Sequence, residues 1–279
     1  MFLPYKIKDS EIQSLVSGQL LSNSFCSEYH SLRENIRSSI SAIDIESTIV
    51  NGTQLQEEWF PVDFADMKFD VFISHSHADV NRSVLPLASW LYHHLGLRCF
   101  IDSLYWQYAD DLLKKFDDYY AYKSQSNTYD YQIRNYTTSH VHIMLSMALM
   151  KMMDKTECIL FVDSDNSIKY KKGDSQTPSP WIYEEISFAN ILQIRLPQRY
   201  YTRIRPIYES GGRLNERYFS EAARPDIRYS IDITKFQELT SSFLQNIKGL
   251  KGEAALDVIH KKVLDSCKIK ERLRKSLSF

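Results

Sequence analysis

Three short apolar runs, each closing on a polar residue, set the strongest limit on how this chain can fold. They are Phe69-Asp70-Val71-Phe72-Ile73-Ser74, Leu97-Arg98-Cys99-Phe100-Ile101-Asp102 and Cys158-Ile159-Leu160-Phe161-Val162-Asp163. Runs this short and this apolar suit strands buried on both faces of a parallel sheet. Between the first two, Val84, Leu87, Ala88, Leu91 and Leu95 recur at helical spacing, and Gly96 offers a C-terminal stop. Pro86 belongs in the first turns of that helix, or else kinks it. After the third run a polar loop with Gly173, Pro178 and Pro180 leads into a helix from Trp181 to about Leu192. Residues 204–208 and 227–233 are candidate fourth and fifth strands. Strands that alternate with helices predict an α/β fold: an open parallel sheet with helices on both faces.

The rest of the chain reads as additions to that sheet. Residues 1–66 carry Ile12, Leu15, Val16, Leu20, Ile36, Ile40 and Ile43 at near-helical spacing, which predicts an N-terminal helical extension. The α/β domain then spans 67–250. Residues 251–279 hold a C-terminal helix and a basic tail with Lys268, Lys270, Arg272, Arg274 and Lys275. Two C-terminal helices are expected, one carrying Phe236, Leu239, Phe243 and Ile247, the other Leu256, Ile259 and Val263. After the second run, residues of about 105–138 form a long insertion rich in Tyr and Asp. It is followed by a segment from Ser139 to Met153 that is apolar on nearly every face and should therefore be buried.

Composition narrows the function. Lys+Arg 34 against Asp+Glu 35 leaves a formal charge of -1, so no overall basic field points to nucleic acid. The four Cys stand too far apart for a zinc spacing, and Cys99 and Cys158 fall inside strand-like runs as buried thiols. The N-terminus has no basic region followed by an apolar run, and no stretch is long enough to cross a bilayer. A soluble, cytoplasmic protein with no membrane partner is expected.

In an open parallel sheet, ligands bind beyond the carboxyl ends of the strands. That rule directs attention to residues 74–79, 102–108, 163–180 and the helix at Trp181. No glycine occurs between Gly52 and Gly96, which excludes a glycine-rich dinucleotide or phosphate loop after the first strand. A phosphorylation site at Asp163 lacks acidic metal ligands after the first strand, where His75 stands. His75 and His77 have no third ligand nearby in sequence, so no metal site is assigned. On the helix, Trp181, Ile182, Ile186, Phe188, Ala189 and Leu192 share one apolar arc, with Glu185 near its middle. A carboxylate there is either satisfied structurally, as first-turn glutamates often are, or lines a cleft beside Trp181 one turn away. Asp102 could touch a ligand or cap a turn, and Trp106 with Tyr105 could stack on a base or pack the insertion down.

The segment from Phe69 to Asp79 resembles the opening strand and loop of Toll/interleukin-1 receptor (TIR) domains, especially bacterial ones. Ser179-Pro180-Trp181-Ile182-Tyr183-Glu184-Glu185-Ile186 is similar to the TIR segment in which a Trp precedes a functional Glu by four residues. Residues 99–102 and 159–164 are similar to the second and third strands, so the resemblance covers roughly 69–250 in the family's order. The insertion after the second strand departs from the pattern, being longer than the usual loop. The resemblance implies a flavodoxin-like fold and cleavage of NAD+ at the nicotinamide–ribose bond, to ADP-ribose or a cyclic relative, as a signal in antiviral defence. NAD+ would then be substrate, with no bound cofactor. The resemblance assigns catalysis to Glu185 and substrate binding to the His75–Ser76 loop and the Trp181 wall, with Asp102 and Trp106 as further binding candidates. It also implies self-association through the TIR-like domain and a downstream effector or trigger protein. Two rivals stay open: a non-catalytic TIR interaction scaffold, and a related nucleoside N-glycosidase or deoxyribosyltransferase.

Overall fold

The structure is a computed structural model that describes residues 3–19, 21–42, 52–53, 56, 68–171, 174–192 and 228–264. Its central sheet has five strands: β1 (Leu3–Lys8), β2 (Val71–Ser74), β3 (Cys99–Ile101), β4 (Cys158–Asp163) and β5 (Gln237–Glu238). They lie in the order β5-β1-β4-β2-β3, and every pairing is parallel. The open parallel α/β sheet expected from the alternating runs is therefore present, and the three runs form β2, β3 and β4.

Side-chain alternation along the strands sorts the core into two layers. Phe72, Phe100, Ile159 and Phe161 point to one face, covered by α4 (Ser103–Phe116), α5 (Tyr131–Lys155) and α6 (Pro180–Ile191). Val71, Ile73, Cys99, Ile101, Leu160 and Val162 point to the other. That face is covered by α1 (Asp9–Val16), α2 (Asn23–Ala42), α3 (Leu85–Trp90), α7 (Ser241–Asn246) and α8 (Glu253–Leu264). Pi-type turns at Val80–Val84 and Leu91–Leu95 flank α3 and carry the helical path past Pro86. A wider turn tolerates the N–H that proline lacks. Gly96 ends the path with φ 63°, as its place in the sequence suggests.

The N-terminal segment is more than a helical extension. Its helices α1 and α2 are present, but β1 precedes them and stands between β4 and β5, pairing with both. Leu3, Tyr5 and Ile7 all enter the α1/α3 layer. The buried Tyr5 hydroxyl meets His260 Nδ1 of α8 at 2.8 Å, and His260 Nε2 meets Glu157 Oε1 at 3.1 Å. β1 thus joins the same sheet as β2 and β4, and α8 helps to cover one face of it.

Other expectations are corrected locally. Tyr229–Ser230 is a strand, but it pairs antiparallel with Asp174–Thr177 in a small separate sheet that also holds Lys169–Lys171. Phe236 and Leu239 flank β5 instead of starting a helix; α7 begins at Ser241, after Thr240 Oγ1 has accepted from Phe243 N. Residues 204–208 and the basic tail lie outside the described residues. The insertion is largely helical. α4 occupies its first part, and Tyr122–Lys123 and Thr128–Tyr129 form a hairpin before α5. α5 starts eight residues earlier than the apolar run, because Asp130 Oδ1 accepts from Gln132 N and Ile133 N as its cap.

Candidate active site

Each of three strands places a polar residue at its carboxyl end on the α4–α6 face, two positions beyond an inward aromatic ring. Ser74 follows Phe72, Asp102 follows Phe100, and Asp163 follows Phe161. Period-two alternation makes these the next side chains on the same face. All three are buried. α6 closes over Ser74 and Asp102. Ser179 caps it by accepting from Ile182 N, Pro180 occupies its first turn, and Ile182, Glu185, Ile186 and Ala189 form its buried stripe. The apolar arc read from the sequence is the face that packs, and Glu185 sits within it at 2% exposure.

No described cation meets Glu185 there. Its Oε2 accepts from Ser74 Oγ at 2.5 Å, and its Oε1 has no described donor. Asp102 hydrogen-bonds the same carboxyl, which requires a proton between two groups that are otherwise acceptors only. Burial first, and then the neighbouring Asp102 charge, push the Glu185 carboxyl well above the usual carboxylate range. The Ser74 hydrogen bond opposes that shift without cancelling it. Glu185 therefore keeps its proton in a pH range where an exposed glutamate has lost it.

His75 stands beside Asp102. Its Nδ1 lies 2.9 Å from the Ile73 carbonyl and 3.1 Å from Asp102 Oδ1. Both are acceptors, so Nδ1 carries the hydrogen, while Nε2 faces Ser103 Oγ at 2.9 Å. Across the next gap, between β2 and β4, Asp79 accepts from Ser164 Oγ at 2.5 Å and from Asn166 Nδ2 at 2.7 Å. Asp163 Oδ2 accepts from the Tyr170 hydroxyl at 2.7 Å.

Four of the six residues named from the sequence are near one another. Glu185, Asp102 and His75 form one buried polar cluster, and Ser76 begins the turn next to it, half-buried, its carbonyl accepting from Asp79 N. Trp181 lies one turn before Glu185, with its ring edge-on to His142 of α5 at 5.6 Å between centroids. It belongs to the α5–α6 packing. Trp106 lies on α4, so its backbone is helical, and its side chain is outside the described residues. Sequence reasoning misses Ser74 and Ser103, although the strand-end position of Ser74 and its parity with Phe72 are legible signals.

Among the described residues, none of the polar groups of this cluster lines a surface hollow. Two surface hollows lie elsewhere: one of about 300 Å³ between Leu21, Pro86, Trp90 and His94, and one of about 560 Å³ between Lys68, Asp70, Arg98 and Glu253. The second borders residues that precede β2 and β3, at the opposite end of the strands from Glu185. Among the described residues no helix is long and apolar enough to cross a membrane. Comparison with known proteins returned no match: no family model, curated protein or solved structure is significantly similar to the chain.

Proposed function

We propose that this chain is a TIR-type NAD+ nucleosidase in which Glu185 acts on the nicotinamide–ribose bond. One observation carries the reading. A helical glutamate is buried at the carboxyl edge of a parallel sheet, held by residues at the ends of β2 and β3, where open α/β sheets bind ligands.

The chemistry suits a single carboxyl. When the C–N bond breaks, its electron pair leaves with the nicotinamide nitrogen, whose ring becomes neutral, so the leaving group needs no acid. Positive charge appears on the ribose and is relieved by addition of water, which then loses a proton. A carboxylate close to that carbon lowers the barrier by opposing the charge in a site that excludes bulk water. Glu185 must ionise to do this. The cationic nicotinamide of the arriving substrate favours that ionisation, as any nearby positive charge does for a carboxyl. Asp102 and His75 are the polar groups beside Glu185 when it does so. Because Glu185 is 2% exposed, the reading requires α6 to part from the loop after β2 before the sugar can enter.

That burial favours a second reading, a non-catalytic TIR-like scaffold whose carboxyl pair fixes α6 to the sheet. Incubation of the purified chain with NAD+, and separately with ribo- and deoxyribonucleosides, followed by mass spectrometry of the products, separates the readings. Nicotinamide with ADP-ribose or its cyclic form supports the nucleosidase. Free nucleobases from the nucleosides assign the related N-glycosidase chemistry, and no turnover of any substrate assigns the scaffold.

A further inference from the structure

α5 is apolar on two opposite faces, and only one of them is covered by described residues. Val141, Leu145, Ala148, Leu149, Met152 and Met153 are buried against the sheet and its neighbours. The sequence alone predicts burial all round. Instead, Ile133, Tyr136, His140, Ile143, Met147 and Met150 lie on the far side. Tyr136 is 67% exposed, Ile143 55%, Met147 40% and Ile133 38%. Their spacing runs three, four, three, four, three, the seam of a two-helix coiled coil. Tyr136 and His140 already touch along it, with ring centroids 4.4 Å apart. Gln56 reaches the flank of α5, donating to the Met144 carbonyl at 2.6 Å and accepting from Lys151 Nζ at 3.3 Å. No described residue covers the seam itself.

We propose that this seam is the interface of a two-fold homodimer in which α5 packs antiparallel against α5 of a second copy. Three features point to a second copy as occupant. The helix carries no Asp, Glu, Lys or Arg from Asn135 to Met150, so it neither repels its own image nor offers charge to an acidic or basic partner. The seam is also self-complementary under a two-fold axis. Placing the axis between positions 140 and 143 sets His140 against Ile143, Tyr136 against Met147 and Ile133 against Met150, as an isologous contact requires. The antiparallel direction further lets the two helix dipoles oppose each other.

Size fits as well. Six half-exposed side chains offering on the order of 100 Å² each bury roughly 1,200 Å² over the pair, the lower end of stable specific interfaces. The inference rests on α5 alone and stands whether or not Glu185 is catalytic.

Sedimentation equilibrium of the full chain at tens of micromolar, beside Ile143→Lys/Met147→Lys, tests it. The expected result is twice the 32.7 kDa chain mass for the wild type and a single chain mass for the variant, with unchanged circular dichroism. A wild-type monomer overturns the proposal and leaves the seam to another protein or a lipid surface. A dimer that survives both substitutions overturns it too, by placing the interface on a different face. Should the lysine variant not fold, oxidation of His140→Cys/Ile143→Cys decides. An intermolecular disulfide absent from the wild-type control, which exposes Cys26, supports the antiparallel seam, and its absence refutes it.

Discussion

Replacing Glu185 by glutamine preserves shape and removes the titratable proton, which makes the state of the buried carboxyl measurable through stability. In the folded chain, burial and the Asp102 charge hold the Glu185 carboxyl well above its ordinary value. In the unfolded chain it titrates near the ordinary carboxylate range. Between those two values the folded state binds the extra proton, so stability must fall as pH rises. The contribution is complete below the unfolded pKa and is lost on passing through the folded one. An amide side chain has no such proton, so the stability of Glu185→Gln relative to wild type should climb with pH. The slope approaches ~1.4 kcal/mol per pH unit across the interval between the ordinary carboxylate range and the raised folded value. Urea unfolding of both proteins at each pH reads the difference directly. A relative stability that stays flat across that interval would refute the reasoning and mean that Glu185 is already ionised in the folded chain.

Three further outcomes follow from neighbouring contacts. Burial pushes the Glu184 carboxyl up to about 7, where it accepts from Ser146 of α5. Stability should therefore fall between the ordinary carboxylate range and neutral pH, and Glu184→Gln should melt higher than wild type at about pH 8 but not at about pH 5; the partly open position makes this effect smaller than that of Glu185. Tyr5→Phe removes the buried hydroxyl that partners His260 and should cost about 1–3 kcal/mol in urea unfolding; no change would mean that the β1–α8 contact does not help hold the fold. Asp130→Ala removes the α5 cap and should cost about 0.5–2 kcal/mol, with hydrogen exchange rising first at residues 131–134.

What the sequence reveals, and what it hides, follows from burial. β2, β3 and β4 are visible because a strand covered on both faces must be apolar at nearly every position, as Val71-Phe72-Ile73 and Ile159-Leu160-Phe161-Val162 are. β1 is hidden because its polar positions interrupt that pattern. Lys6 and Lys8 alternate with Tyr5 and Ile7, and Lys8 Nζ reaches Glu238 of β5 at 3.2 Å. β5 is two polar residues, Gln237 and Glu238, and has no apolar signature. α5 misleads for the opposite reason. An all-round apolar helix usually means burial, but here half of its apolar surface is uncovered by any described residue. At the candidate site, helical periodicity places Glu185 on the packed face of α6. Its carboxyl partners depend on which strands become neighbours, and only the sheet order reveals that.

The most direct test of the central claim is the rate of nicotinamide release from NAD+ by the purified full chain at neutral pH, measured beside Glu185→Gln with both proteins verified as folded. The expected result is steady release by the wild type and a loss of at least about 100-fold in the variant, the scale on which a charge-stabilising group matters in a transition state. Equal rates in the two proteins, or no release by a folded wild type across the full range of NAD+ and protein concentrations, would contradict it.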